Sequence, residues 1–163
     1  MSADLSDLQM LMHQLGPATP GIEAIVEDDI ESWEVQLDDG ATLCIAFQCE
    51  PAEAVFSCLL GPAPVHRQTE IYAAMLCANL LYQGVAPIKF ALNHPAGELM
   101  LIAAYPLLGM SLDSLQKNLS SFHAYARHFA EQVVVEESNT DAKPLALPDD
   151  SSLSGYLTAH LQA

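Results

Sequence analysis

The sequence predicts an α+β fold in which an antiparallel sheet is covered by helices. Three observations carry this expectation. Short alternating runs sit next to turn residues, as in hairpins. Three longer runs repeat their apolar residues at helical spacing. The elements follow in the order α-β-β-β-α-β-β-α, which lacks the strict β-α alternation of a parallel sheet.

The first helix spans residues 4–15. Leu5, Leu8, Leu11, Met12 and Leu15 fall on one face, Met10 on the opposite side. Asp4 or Ser6 supplies the N-cap, and Gly16-Pro17 ends the helix. A short strand over 22–27 follows a Pro-Gly loop. Trp33 to Leu37 alternates apolar and polar residues, so it reads as a half-buried strand. Asp38-Asp39-Gly40 is a hairpin turn of the Asp-Gly type, and Leu43 to Gln48 is the return strand. Ala54 to Leu60 adds a strand rich in pleat-favouring residues, and Gly61-Pro62-Ala63-Pro64 closes the unit.

The central helix is expected over 66–83. One face is Ile71, Ala74, Met75, Ala78, Leu81 and Tyr82; Tyr72, Leu76, Asn79 and Leu80 fall on the other. A helix that is apolar nearly all round needs cover on two sides. The sheet is one cover. The same helix of a second subunit is the simplest other, so a homodimer is expected with Tyr72, Leu76, Asn79 and Leu80 at its interface. Strands at 87–93 and 98–105 form a further hairpin. A long helix then runs from Ser111 or Asp113 to about residue 135, with Leu112, Leu115, Leu119, Phe122, Ala126, Phe129 and Val133 at helical spacing. The folded domain is expected to occupy residues 1–137. Residues 138–163 read as a polar tail with a short helix at 152–161.

The 163 residues carry a formal net charge of −16, with 51% hydrophobic and 16% charged residues. So apolar a chain is not a disordered acidic tail. Its charge argues against nucleic acid and against an anionic membrane surface. Twelve acids and no base precede Arg67; nine acids and all five bases lie from there on. No run of about 20 apolar residues exists, so no span is expected. The N-terminus has no basic region of the secretory kind, which points to a cytoplasmic chain.

Residues with chemical potential do not gather. The histidines stand at 13, 66, 94, 123, 128 and 160, without His-Glu-x-x-His. Cys44, Cys49, Cys58 and Cys77 make no Cys-x-x-Cys and lie in apolar runs, where a thiol acts as a small hydrophobe. Neither a Gly-x-Ser-x-Gly elbow nor a phosphate-binding loop is present. No catalytic residue, metal or cofactor is therefore expected.

Four stretches together resemble the class I chaperones of type III secretion, the Tir chaperone family typified by the chaperone of the intimin receptor. They are the leading helix Leu5 to Gly16, the hairpin Trp33 to Leu43, the helix Ile71 to Leu81 with Asn79 before its last leucines, and the hairpin Ile88 to Tyr105 followed by Pro106-Leu107 and the long helix. They cover about residues 4–135; the tail is longer than is usual for the family. The resemblance implies a non-catalytic homodimer in the bacterial cytosol. It would bind the N-terminal segment of a secreted effector, hold it extended and keep it competent for export. It also places effector contacts on the first helix and the sheet. Met10, off the core face, leads the candidates, followed by Leu8, Leu11 and Met12, whose spacing serves a core equally well. Trp33, Val35, Phe47 and Phe56 are the sheet candidates, with the core again as their other reading. Two alternatives stay open from the residues: a small dimeric α+β enzyme or ligand carrier of thioesterase type, and an adaptor of the same fold that binds a folded partner.

Overall fold

The structure, a computed structural model, describes residues 4–16, 19–81, 87–93, 95 and 97–134. The tail 138–163 with the helix expected at 152–161, the boundary at 137 and Tyr82 all lie outside the described residues.

Helix α1 (Leu5–Leu15) opens on a reciprocal cap. Asp4 Oδ1 accepts from the Ser6 N–H at 2.9 Å, and Asp7 Oδ2 accepts from the Asp4 N–H at 3.0 Å. Two backbone donors that the helix cannot use are satisfied in this way. Strands β1 (Ile22–Asp29), β2 (Ser32–Leu37), β3 (Thr42–Cys49) and β4 (Ala52–Pro62) follow. A 3-10 turn at Val65–Arg67 leads into helix α2 (Gln68–Leu81). Strands β5 (Ile88–Asn93) and β6 (Glu98–Pro106) and helix α3 (Leu112–Val134) complete the described chain.

Four strands thus precede α2 where the expected order counted three, because the 22–27 segment is a full strand. All six form one antiparallel sheet, ordered β1-β2-β3-β4-β6-β5. Strand β4 also runs through Gly61 and Pro62 instead of stopping before them. A bulge between the Leu59–Met100 and Gly61–Leu99 pairs takes up an extra residue. Gly61 sits there at φ 93°, a conformation costly for a residue with a Cβ.

Register decides which residues are inside. Trp33 pairs with Ile45, Ile45 with Phe56, and Phe56 with Ala103, so these four form one row across the sheet. Val35, Leu43, Cys58 and Leu101 belong to the same face. Helix α3 covers this face through Leu115, Leu119, Phe122, Ala126 and Phe129, all buried. The rings of Phe56 and Phe122 meet edge to face at 5.8 Å, and those of Phe90 and Phe129 at 4.6 Å. Helix α1 adds Leu8, Leu11, Met12 and Leu15 to the same core. The opposite face carries Glu34, Gln36, Cys44, Ala46, Val55, Ser57, Met100, Ile102 and Ala104, all half-buried, and Leu59, exposed.

Candidate functional site

A single sheet has two edges, and the chain treats them differently. The β5 edge is closed. Asn79 on α2 donates from Nδ2 to the Phe90 carbonyl at 3.0 Å and accepts from the Phe90 N–H on Oδ1 at 2.7 Å. One side-chain amide thereby does at Phe90 what a neighbouring strand would do. The β1 edge pairs only with β2. It is guarded by charge, since Glu23, Glu27, Asp28 and Asp29 are all exposed, as is Glu31 in the following turn. Such acids discourage self-pairing of an open edge and leave it open to a basic strand. Exposed apolar side chains stand among them: Val26 is 49% and Ile30 65% exposed. Gln9 of α1 donates to the Ile30 carbonyl at 3.4 Å, which brings the helix alongside this edge, and the neighbouring Met10 is 55% exposed.

The second apolar surface is the back of α2. Leu76 and Leu80 are 71% and 72% exposed, and Leu81 joins them. Ile71, Met75 and Ala78 turn to the core. At about 100° per residue, Tyr72 and Asn79 fall beside that buried stripe and not opposite it. Tyr72 packs partly on the core, and Asn79 is occupied by β5.

Of the residues expected to contact an effector, Met10 is exposed and Phe47 half-buried, its N–H donating to the Glu31 carbonyl at 2.8 Å. Leu8, Leu11, Met12, Trp33, Val35 and Phe56 are core residues, at most 9% exposed. The two-residue period showed which of them share a face, but not which face the helices cover. Val26, Ile30 and the β1 edge went unrecognised in the sequence. The signal was a strand carrying acids on both of its faces, the mark of an edge position.

The described residues contain no group of three or more His, Cys, Asp or Glu side chains placed to hold a metal ion. Burial pushes the Cys58 thiol up to about 11, far from the reactive thiolate range. At the tip of the β2–β3 hairpin, the Asp39 carboxyl lies below its ordinary value. The main cause is the hydrogen bond from the Ala41 N–H, and His123 and Arg127 add to it. His123 Nε2 stands 3.0 Å from Asp39 Oδ2, so the hairpin tip lies against α3.

An open acidic strand edge and an uncovered apolar helix face are the surfaces of a domain that binds other polypeptide chains. Within that class the family is specific. Residues 11–130 match the model of the Tir chaperone protein (CesT) family, and the chain belongs to that family. No curated protein matches the chain by sequence. Among solved structures, the HopA1-SchA chaperone-effector complex contains a chain 18% identical, with a TM-score of 0.63 over 79% of this chain and 98% of the other. A chain of the ExsC-ExsE complex is 12% identical, with a TM-score of 0.61 over 82% and 97%. The complex of the Yersinia pestis type III secretion chaperone SycH with a fragment of YscM2 gives 22% identity and a TM-score of 0.54 over 76% and 97%. At these identities the likeness is one of fold.

Proposed function

We propose that this protein is a type III secretion chaperone. It binds the N-terminal segment of a secreted effector in extended form in the bacterial cytoplasm, keeps it competent for export, and catalyses no reaction. The observation that carries the reading, beside the family, is the contrast between the two sheet edges. The chain spends Asn79 on closing β5 and leaves β1 open, with Met10, Val26 and Ile30 around it. An extended client strand pairs there through its backbone, and its apolar side chains take these residues as anchors. The acids along β1 favour a client with basic residues. Phe47 stays in the proposed contact set as a half-buried residue behind the β1 edge, whereas the core residues support that edge from beneath.

The back of α2 serves a homodimer, with Leu76 and Leu80 at its centre. Ordering an unfolded client costs affinity per unit area, which suits a partner that must later be released. No helix among the described residues is long and apolar enough to cross a membrane.

The test is co-expression with the product of the neighbouring gene, followed by limited proteolysis of the purified complex. The client's N-terminal segment should become protease-resistant, and Met10→Glu combined with Ile30→Glu should abolish its recovery. A small acyl ligand carried through purification, or turnover of an acyl thioester, would overturn the reading in favour of a ligand carrier or enzyme.

A further inference from the structure

The sheet is not continuous between its middle strands. Strands β3 and β4 pair from Cys49–Ala52 up to Cys44–Ser57, and there their pairing ends. Beyond that point Thr42 and Leu43 continue on β2, while Cys58 to Pro62 continue on β6. The strands part there, and a slot-like cleft of about 620 Å³ takes in this gap, lined by residues of both sheet faces, of the β2–β3 turn and of α3. This volume falls within the range of sites that hold a ligand.

The two sides of the slot differ. Towards α3 it is lined by Leu43, Leu60, Ala126 and Ala130, and by the exposed Arg127, which is ion-paired with Glu131 at 3.6 Å. His123 also lines it, with its Nε2 3.0 Å from Asp39 Oδ2. Towards the open face stand Asp28 and Glu34, neither ion-paired among the described residues. Glu34 pairs with Cys44 across β2 and β3, and both carboxylates act on that thiol. Burial is the main cause that raises this thiol, and their negative charge raises it further against a hydrogen bond with Ser57.

Two strand edges with no ladder partner across the gap call for a third strand. Successive side chains of an extended segment point to opposite faces. One set would enter the apolar side under α3, and the other would meet the two carboxylates. We propose that this slot is a second polypeptide site, distinct from the backbone-pairing edge of β1 although Asp28 borders both. It takes a short extended segment in which apolar residues alternate with lysine or arginine. The slot spans Thr42–Leu43 against Cys58–Leu60, enough for roughly three residues at strand rise. The proposal rests on the reading of the protein as a holder of extended clients, and it adds what that client carries.

The probe is the acetylated, amidated pentapeptide Leu-Lys-Leu-Lys-Leu, titrated into the isotope-labelled full-length protein and followed by amide chemical shifts. Shifts should centre on Leu43, Cys58, Leu59 and Ala126. The Leu-Glu-Leu-Glu-Leu peptide should bind at least about tenfold more weakly, since it sets like charges against the carboxylates. Glu34→Gln, on β2 and away from the β1 edge, should weaken the lysine peptide about threefold, the scale of one partly exposed ion pair. Shifts confined to β1 and α1, equal binding of both peptides, or no binding would overturn the slot and leave the client reading standing. If the pentapeptide titrates at the slot while no neighbouring-gene product gains protease resistance, the client reading fails and the slot remains.

Discussion

Asn79→Leu is the sharpest perturbation of this fold, because it alters one amide at nearly constant size. The wild-type side chain makes two part-buried hydrogen bonds with the Phe90 backbone, at 2.7 and 3.0 Å. Each is worth about 1 kcal/mol net, and a buried backbone group left without a partner costs about 1–3 kcal/mol. Water reaches this edge in part, so the lower end applies and the total loss is about 2–3 kcal/mol. With a urea slope of about 2 kcal/mol/M, the midpoint should fall by about 1–1.5 M at unchanged slope. Urea unfolding followed by circular dichroism, at one fixed protein concentration, measures this shift. The variant also exposes the Phe90 edge, so light scattering should show more association. A midpoint within about 0.2 M of wild type, without added association, would refute the idea that this amide stands in for a strand.

Other changes probe other parts of the molecule. Leu76→Glu or Leu80→Glu should convert a dimer to monomer or to insoluble protein, and a clean dimer by size exclusion with light scattering would rule α2 out as the interface. Phe122→Ala should cost about 3–5 kcal/mol in thermal or urea unfolding, because it empties the centre of the α3–sheet contact. Thiol titration should find exposed Cys49 quick to react at pH 8 and Cys58 slow, with its rate rising as pH approaches 11. Asp39 has a lowered carboxyl pKa in the fold, so its contribution is present above the unfolded value, near 3.8. It is lost as pH falls through the lower folded one. Asp39→Asn should therefore remove part of the acid-side slope of stability between those two values, seen as a flatter unfolding curve against pH.

The sequence by itself determined the helices, the hairpins and the apolar stripe of α3. These rest on local periods and turn residues that leave their mark on neighbouring positions. Gly40 at φ 84° in the β2–β3 turn and the buried run Leu115, Leu119, Phe122, Ala126 and Phe129 follow directly from such patterns. Together with the charge balance they were enough for the resemblance to a chaperone family, to which the chain belongs.

Only the tertiary structure decided which side of each element faces out. Trp33, Val35 and Phe56 alternate correctly in the sequence, yet their face became the covered one because α1 and α3 pack on it. Asn79 lies on a helix that is apolar nearly all round; nothing within α2 indicates that its amide reaches a strand edge eleven residues on. The slot depends on a pairing that stops at Cys44–Ser57, a long-range event fixed by how β4 leaves β3 to follow β6. Periodicity is a property of one segment, whereas an edge, a covered face or a gap belongs to two or more segments brought together, and so it exists only in the folded chain.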